Sequence, residues 1–118
     1  MPELTPSERL QPCLLDRLTD EEPNSAVEGR DKRIMSMRLY RKAVLRDLVW
    51  LLNSPNKTLT GELDDYENVA SSVLNYGMPD LSGRSSTSLP PDQLERLVTA
   101  SIERYEPRIA SAGLSIRV

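Results

Sequence analysis

Apolar residues between about Ile34 and Asn53 recur at helical spacing. At about 100° per residue, Tyr40, Leu51, Val44, Met37, Leu48, Leu52 and Leu45 fall within one arc of about 140°, which predicts a long amphipathic helix with these residues as its core stripe. A second, narrower strip of Leu39, Ala43 and Trp50 lies nearly opposite, with Arg38, Lys42 and Arg46 between the strips on one side and Asp47 on the other. A helix with two apolar faces is expected to be covered on both. Arg41 projects into the middle of the main stripe, where an unpaired charge is costly. Two readings stay open for it: snorkelling near the helix end, or an ion pair, intramolecular or at an interface. Ser54, Pro55 and Asn56 predict the helix end, because a residue before proline disfavours helical backbone.

A second helix is expected from Pro90 or Pro91, with Asp92 and Glu95 in its first turns. Leu94, Leu97, Val98, Ser101, Ile102 and Tyr105 form its apolar face, and Pro107 stops it between Glu106 and Arg108. Beyond it, Leu114, Ile116 and Val118 alternate with Ser115 and Arg117, the pattern of a half-buried strand. Residues 66–78 suit a helix through Val69, Val73 and Tyr76, or a short strand over Ser72 to Tyr76 closed by Gly77, and periodicity does not separate these. Residues 79–91, rich in Pro, Ser and Thr, read as a turn and loop.

Near the N-terminus, Pro12 stands where a first helical position would be, followed by Leu14, Leu15 and Leu18 on one side. This predicts about two helical turns, too few to persist alone, so the leucines must dock on the body or on a partner. Thr19 to Arg33 is polar and proline-broken, a linker. The predicted architecture is α+β: two main helices plus a short N-terminal helix packed on a small antiparallel sheet, with the C-terminal strands incomplete. An arm and linker over residues 1–33 precede one domain over 34–118. The chain's end in a strand pattern suggests missing C-terminal sequence or completion by another chain.

Composition narrows the chemistry. Among 118 residues there is no His and one Cys. That excludes Ser-His-Asp and Cys-His catalysis, imidazole proton shuttles, His-containing metal sites and an internal disulfide. No cofactor is expected, and a cytoplasmic location is the default. The longest apolar run, Leu48 to Leu52, is far short of the roughly 18 residues of a membrane span, and MPELTPSERL has no signal-peptide pattern. The net charge of −3 is unevenly spread: −5 over residues 1–29, +6 over 30–46 and −4 over 47–118. The basic block falls on an apolar helix without a glycine-rich or aromatic platform, so it reads as a solvated or internally paired face and not as a nucleic-acid site.

Paired carboxylates are the remaining catalytic candidates. A glycosidase needs two of them roughly 5 to 9.5 Å apart, one with its pKa raised by burial. Glu62, Asp64, Asp65 and Glu67 lie in a polar stretch that offers no such burial, and Glu106 beside Arg108 suggests an ionised, paired carboxylate. Neither a G-x-S-x-G nor a glycine-rich phosphate loop is present.

Three segments, in order, carry a family resemblance: VLRDLVWLLNS (Val44 to Ser54), SVLNYGMPDLSG (Ser72 to Gly83) and YEPRI (Tyr105 to Ile109). With the opening QPCLLDRLTDEEP, the chain resembles the TssE family of type VI secretion baseplate subunits, relatives of the contractile-phage baseplate wedge protein often labelled lysozyme-like. Two departures are Val49, where such proteins often carry Glu, and an end before the family's C-terminal β-hairpin. The resemblance implies that residues 34–118 are a C-terminally truncated wedge domain. It implies a non-enzymatic assembly protein at the baseplate, on the cytoplasmic face of the inner membrane of a Gram-negative bacterium. Its implied partners are the wedge subunits TssF and TssG, the wider baseplate including TssK, and the sheath subunits TssB and TssC, whose assembly it would initiate through its C-terminal strands. Glu106, Pro107 and Arg108 would contact the wedge subunits, with Arg41, Leu14, Leu15 and Leu18 as further candidate partner contacts. No nucleic acid and no direct membrane insertion are expected. The competing expectation, drawn from the family's label, is a peptidoglycan-cleaving, muramidase-like enzyme.

Overall fold

A computed structural model describes residues 10–20, 22–27, 35–85 and 87–118. Residues 1–9, Glu21 and residues 28–33 of the expected arm and linker, Ile34 at the expected helix start and Ser86 of the expected loop lie outside the described residues. In chain order the elements are α1 (Leu14–Leu18), α2 (Met37–Asn53), β1 (Pro55–Asn56), α3 (Glu67–Ala70), a 3-10 turn (Val73–Asn75), β2 (Met78–Pro79), α4 (Pro91–Tyr105) and a second 3-10 turn (Ser111–Gly113). The fold is α+β, and the chain divides after Arg46, within α2, into two compact units.

In the first unit α1 is five residues long, little more than one turn where about two were expected, and Pro12 lies outside it, since Cys13 is the N-cap. Leu14, Leu15 and Leu18 are all exposed. Polar contacts hold the turn. Arg46 Nη1 donates to Asp16 Oδ1 at 2.6 Å, and Cys13 Sγ donates to Asp16 Oδ2 at 2.9 Å. Burial opposes ionisation of Asp16, but these hydrogen bonds and the charge of Arg46 outweigh it and hold the carboxyl below its ordinary value. A lone antiparallel bridge joins Leu10 to Met35.

The predicted stripe on α2 is rotated in the structure. Tyr40, Ala43, Val44, Arg46, Asp47, Leu48 and Leu51 are the sheltered positions, whereas Met37, Leu45 and Leu52 are exposed. The sheltered face is thus turned from the arc of greatest apolarity toward the side of Ala43, Arg46 and Asp47. Arg41 falls on the exposed side. Periodicity located the helix but weighed only apolar residues, and the acid Asp47 belongs to the sheltered face.

In the second unit β1 and β2 form a two-stranded sheet that is parallel, not antiparallel, with Pro55 opposite Met78 and Asn56 opposite Pro79. The physical reason is the crossover: residues 57–77, containing α3 and the 3-10 turn, carry the chain back to the start of the pair, as parallel pairing demands. Proline at each strand removes a donor and keeps the ladder short. Gly77 makes the approach possible. Its φ is +126°, and a Cβ there would lie 2.0 Å from Ser54 O, the acceptor of the Met78 N–H. The ambiguous segment 66–78 resolves as helix, then 3-10 turn, then strand. The strand expected at Leu114 to Val118 is absent: those residues form no ladder, and the Val118 N–H donates to Glu95 Oε1 at 3.0 Å. Alternation alone supplies no hydrogen-bonding neighbour, which a strand needs.

α4 follows the sequence closely. Pro91 opens it, Ser101 and Ile102 are buried, and Leu94, Leu97, Val98 and Tyr105 are partly sheltered beside them.

Candidate functional site

Pro107 decides where α4 stops. Its ring disfavours helical backbone at the residue before it, and Glu106 leaves the helix at φ −123°, ψ 81° while its N–H still donates to Ile102 O at 2.9 Å. The next turn closes when the Ile109 N–H donates to Glu106 O at 3.3 Å. That turn folds Arg108 back over the Glu106 side chain.

The result is a bidentate pair. Arg108 Nε donates to Glu106 Oε1 at 2.6 Å and Arg108 Nη2 to Oε2 at 2.8 Å, and the Arg108 backbone N–H also reaches Oε1 at 3.2 Å. The same Nη2 donates to Asp47 Oδ2 of α2 at 2.6 Å. Glu106 is 4% exposed, and the Arg108 and Asp47 side chains are 18% and 19% exposed. Hydrogen bonding to Glu106 lifts the Arg108 pKa, burial opposes this, and Asp47 adds to the rise, so the guanidinium stays charged well above its ordinary range. Nearby, burial and then the charges of Asp47 and Glu106 push the Tyr76 hydroxyl up from its ordinary value. Tyr76 meets Tyr105 edge-on, with ring centroids 5.3 Å apart.

Glu106, Pro107 and Arg108 are therefore brought together, with Glu106 buried and paired to Arg108 as an ionised carboxylate. Asp47 of α2 is the second carboxylate that holds Arg108. A readable signal for Asp47 existed: on α2 it lies between Tyr40, Ala43 and Leu51, the only acid of that helix. Arg41, Leu14, Leu15 and Leu18 belong to the preceding unit and are exposed.

The other carboxylates are arranged differently. Glu62 is exposed and lies 3.5 Å from Lys57 Nζ, and Asp64, Asp65 and Glu67 are exposed too. A shallow groove along α4 is lined by Asp92, Glu95 and Glu103 with Arg96 and Ile116, and it includes neither Glu62 nor Glu106. Among the described residues no group of three or more His, Cys, Asp or Glu could hold a metal ion. Among the same residues no helix is long and apolar enough to cross a membrane.

A glutamate buried by its own arginine at a proline-stopped helix end, braced by a second helix, is an arrangement for rigidity. Residues 38–118 match the family model of the baseplate wedge protein gp25. The chain belongs to that family. The match covers α2 through the C-terminus, including the Glu106–Arg108–Asp47 clamp, and the family is one of structural baseplate proteins. No curated protein and no solved structure gives a match. Membership gives this gp25-family chain a structural role in the baseplate of a contractile injection machine.

Proposed function

We propose that the chain is the TssE-type subunit of a type VI secretion baseplate, a non-enzymatic wedge component that works at the cytoplasmic face of the inner membrane. In this reading it binds TssF and TssG through the Glu106-Pro107-Arg108 turn, joins a baseplate that includes TssK, and offers a starting point for the TssB and TssC sheath. The wedge domain is residues 34–118, and residues 1–33 are an arm.

The observation that carries the reading is the family match over residues 38–118 together with the clamp inside it. Arg108 is held by two carboxylates at fixed distances, so what its side chain leaves exposed is presented without rotamer freedom, and a preorganised group binds a partner at low entropic cost. Both Glu106 oxygens accept hydrogen bonds from Arg108, which suits a positioning role better than proton donation to a sugar. Leu14, Leu15, Leu18 and Arg41 are exposed and suit further contacts.

Co-expression with TssF and TssG followed by size-exclusion chromatography tests the reading. A single co-eluting complex is expected. Elution of the chain by itself would overturn the wedge assignment, and clearing of a peptidoglycan suspension that is lost in Glu62→Gln or Glu106→Gln would overturn the non-enzymatic one.

A further inference from the structure

Val73 and Leu74 are 79% and 81% exposed, and Tyr66 nearby in sequence is 61% exposed. A pair of adjacent aliphatic side chains so open is unremarkable on a loose loop. Here the backbone beneath them is fixed. Ser72 caps the turn by accepting the Leu74 N–H at 3.2 Å. The Tyr105 hydroxyl lies 3.0 Å from Ser72 O and 2.7 Å from Asn75 O, so one phenol from α4 ties both ends of the turn. Asn75, 4% exposed, accepts the Lys57 N–H at 2.8 Å and donates to Ala70 O at 3.0 Å. Buried groups thus hold the turn from the inside while its two apolar tips face out. Such tips lose little conformational freedom on entering a pocket, the property of interface anchors.

The surrounding charge selects the occupant. Glu62, Asp64, Asp65 and Glu67 precede the turn and are exposed, and α3, which carries Glu67, packs against it. Two cations adjoin it, Lys57, paired with Glu62, and Arg104, which keeps its charge while its Nη1 donates to Ala70 O at 3.2 Å, and the four acids outnumber them. An acidic surround disfavours the anionic surface of a membrane and favours a protein surface of opposite sign. We propose that Val73 and Leu74 form a preformed docking knob for a protein partner whose apolar pocket is rimmed by lysine or arginine. The proposal rests on the baseplate reading, with that pocket on a wedge subunit.

Full-length chain is co-expressed with TssF and TssG as wild type, as Leu74→Asp, as Val73→Asp and as the double reversal Asp65→Lys, Glu67→Lys. Because the altered side chains are exposed, circular dichroism and melting temperature are expected to stay unchanged. Each variant is expected to weaken association by about tenfold or more, and added salt is expected to weaken the wild type more than the charge reversal. Wild-type association that Leu74→Asp leaves intact overturns the knob and spares the baseplate reading. Failure of the wild type itself overturns both. Loss in Leu74→Asp of self-association by the isolated chain, or of binding to vesicles of anionic phospholipid, overturns the proposal in favour of a second copy or a lipid surface.

Discussion

Arg108 and Asp47, 61 residues apart in sequence, meet at 2.6 Å, and the same guanidinium nitrogen lies 2.8 Å from Glu106. One cation therefore joins the end of α4 to α2. Removing it leaves two carboxylates facing each other in a largely dry site. Arg108→Ala is expected to cost about 3 kcal/mol of stability, whereas Asp47→Asn, which keeps a hydrogen-bond acceptor, is expected to cost about 1 kcal/mol. Urea unfolding measures both. An Arg108→Ala variant within about 0.5 kcal/mol of wild type would show that the clamp contributes no stability.

Asp16 sets the pH response of α1. Its folded pKa is lowered, so its contribution to stability is fully present above the unfolded value of about 3.9 and is lost as pH falls through the folded value. Amide signals of Leu14 to Leu18 should hold their positions through neutral and mildly acidic pH and move only below that range. In Asp16→Asn the same amides should exchange faster at neutral pH while those of α4 do not change. Equal protection of α1 in both proteins would assign its anchorage to something other than the Arg46 pair.

Gly77 and Gly83 form an internal control. Both have positive φ, but only at Gly77 does an added Cβ meet backbone, 2.0 Å from Ser54 O, whereas Gly83 has nothing within 4 Å. Gly83→Ala is expected to cost about 1 kcal/mol from backbone strain alone. Gly77→Ala adds a clash that separates β1 from β2, and a loss of about 3 kcal/mol or more is expected. Thermal melts of the two variants side by side decide the matter, and equal midpoints would refute the close approach.

Tyr105→Phe removes the hydroxyl shared by Ser72 O and Asn75 O but keeps the ring contact with Tyr76. A loss of about 1 to 2 kcal/mol is expected, since two carbonyls lose a donor. Hydrogen exchange at Asn75 and Tyr76 should accelerate more than at Ile102. Uniform acceleration would mean that the hydroxyl stabilises the fold as a whole and not the turn.

The sequence by itself determined what depends on near neighbours. Proline at 55, 91 and 107 and the helical repeat of leucines located α2 and α4, because backbone restriction and amphipathic spacing are local. The same locality made Glu106-Pro107-Arg108 visible as a helix-end turn. Only the tertiary structure decided which side of α2 is sheltered, since an apolar stripe says where burial is favourable and not which of several apolar residues the neighbouring chain reaches. Leu45 and Leu52 are exposed, whereas Asp47 is sheltered and pairs with Arg108 from the far end of the chain. The sense of the β1–β2 pair was likewise out of reach: two-residue strands carry no periodicity, and their parallel pairing follows from the crossover of residues 57–77 and the one backbone approach that Gly77 allows.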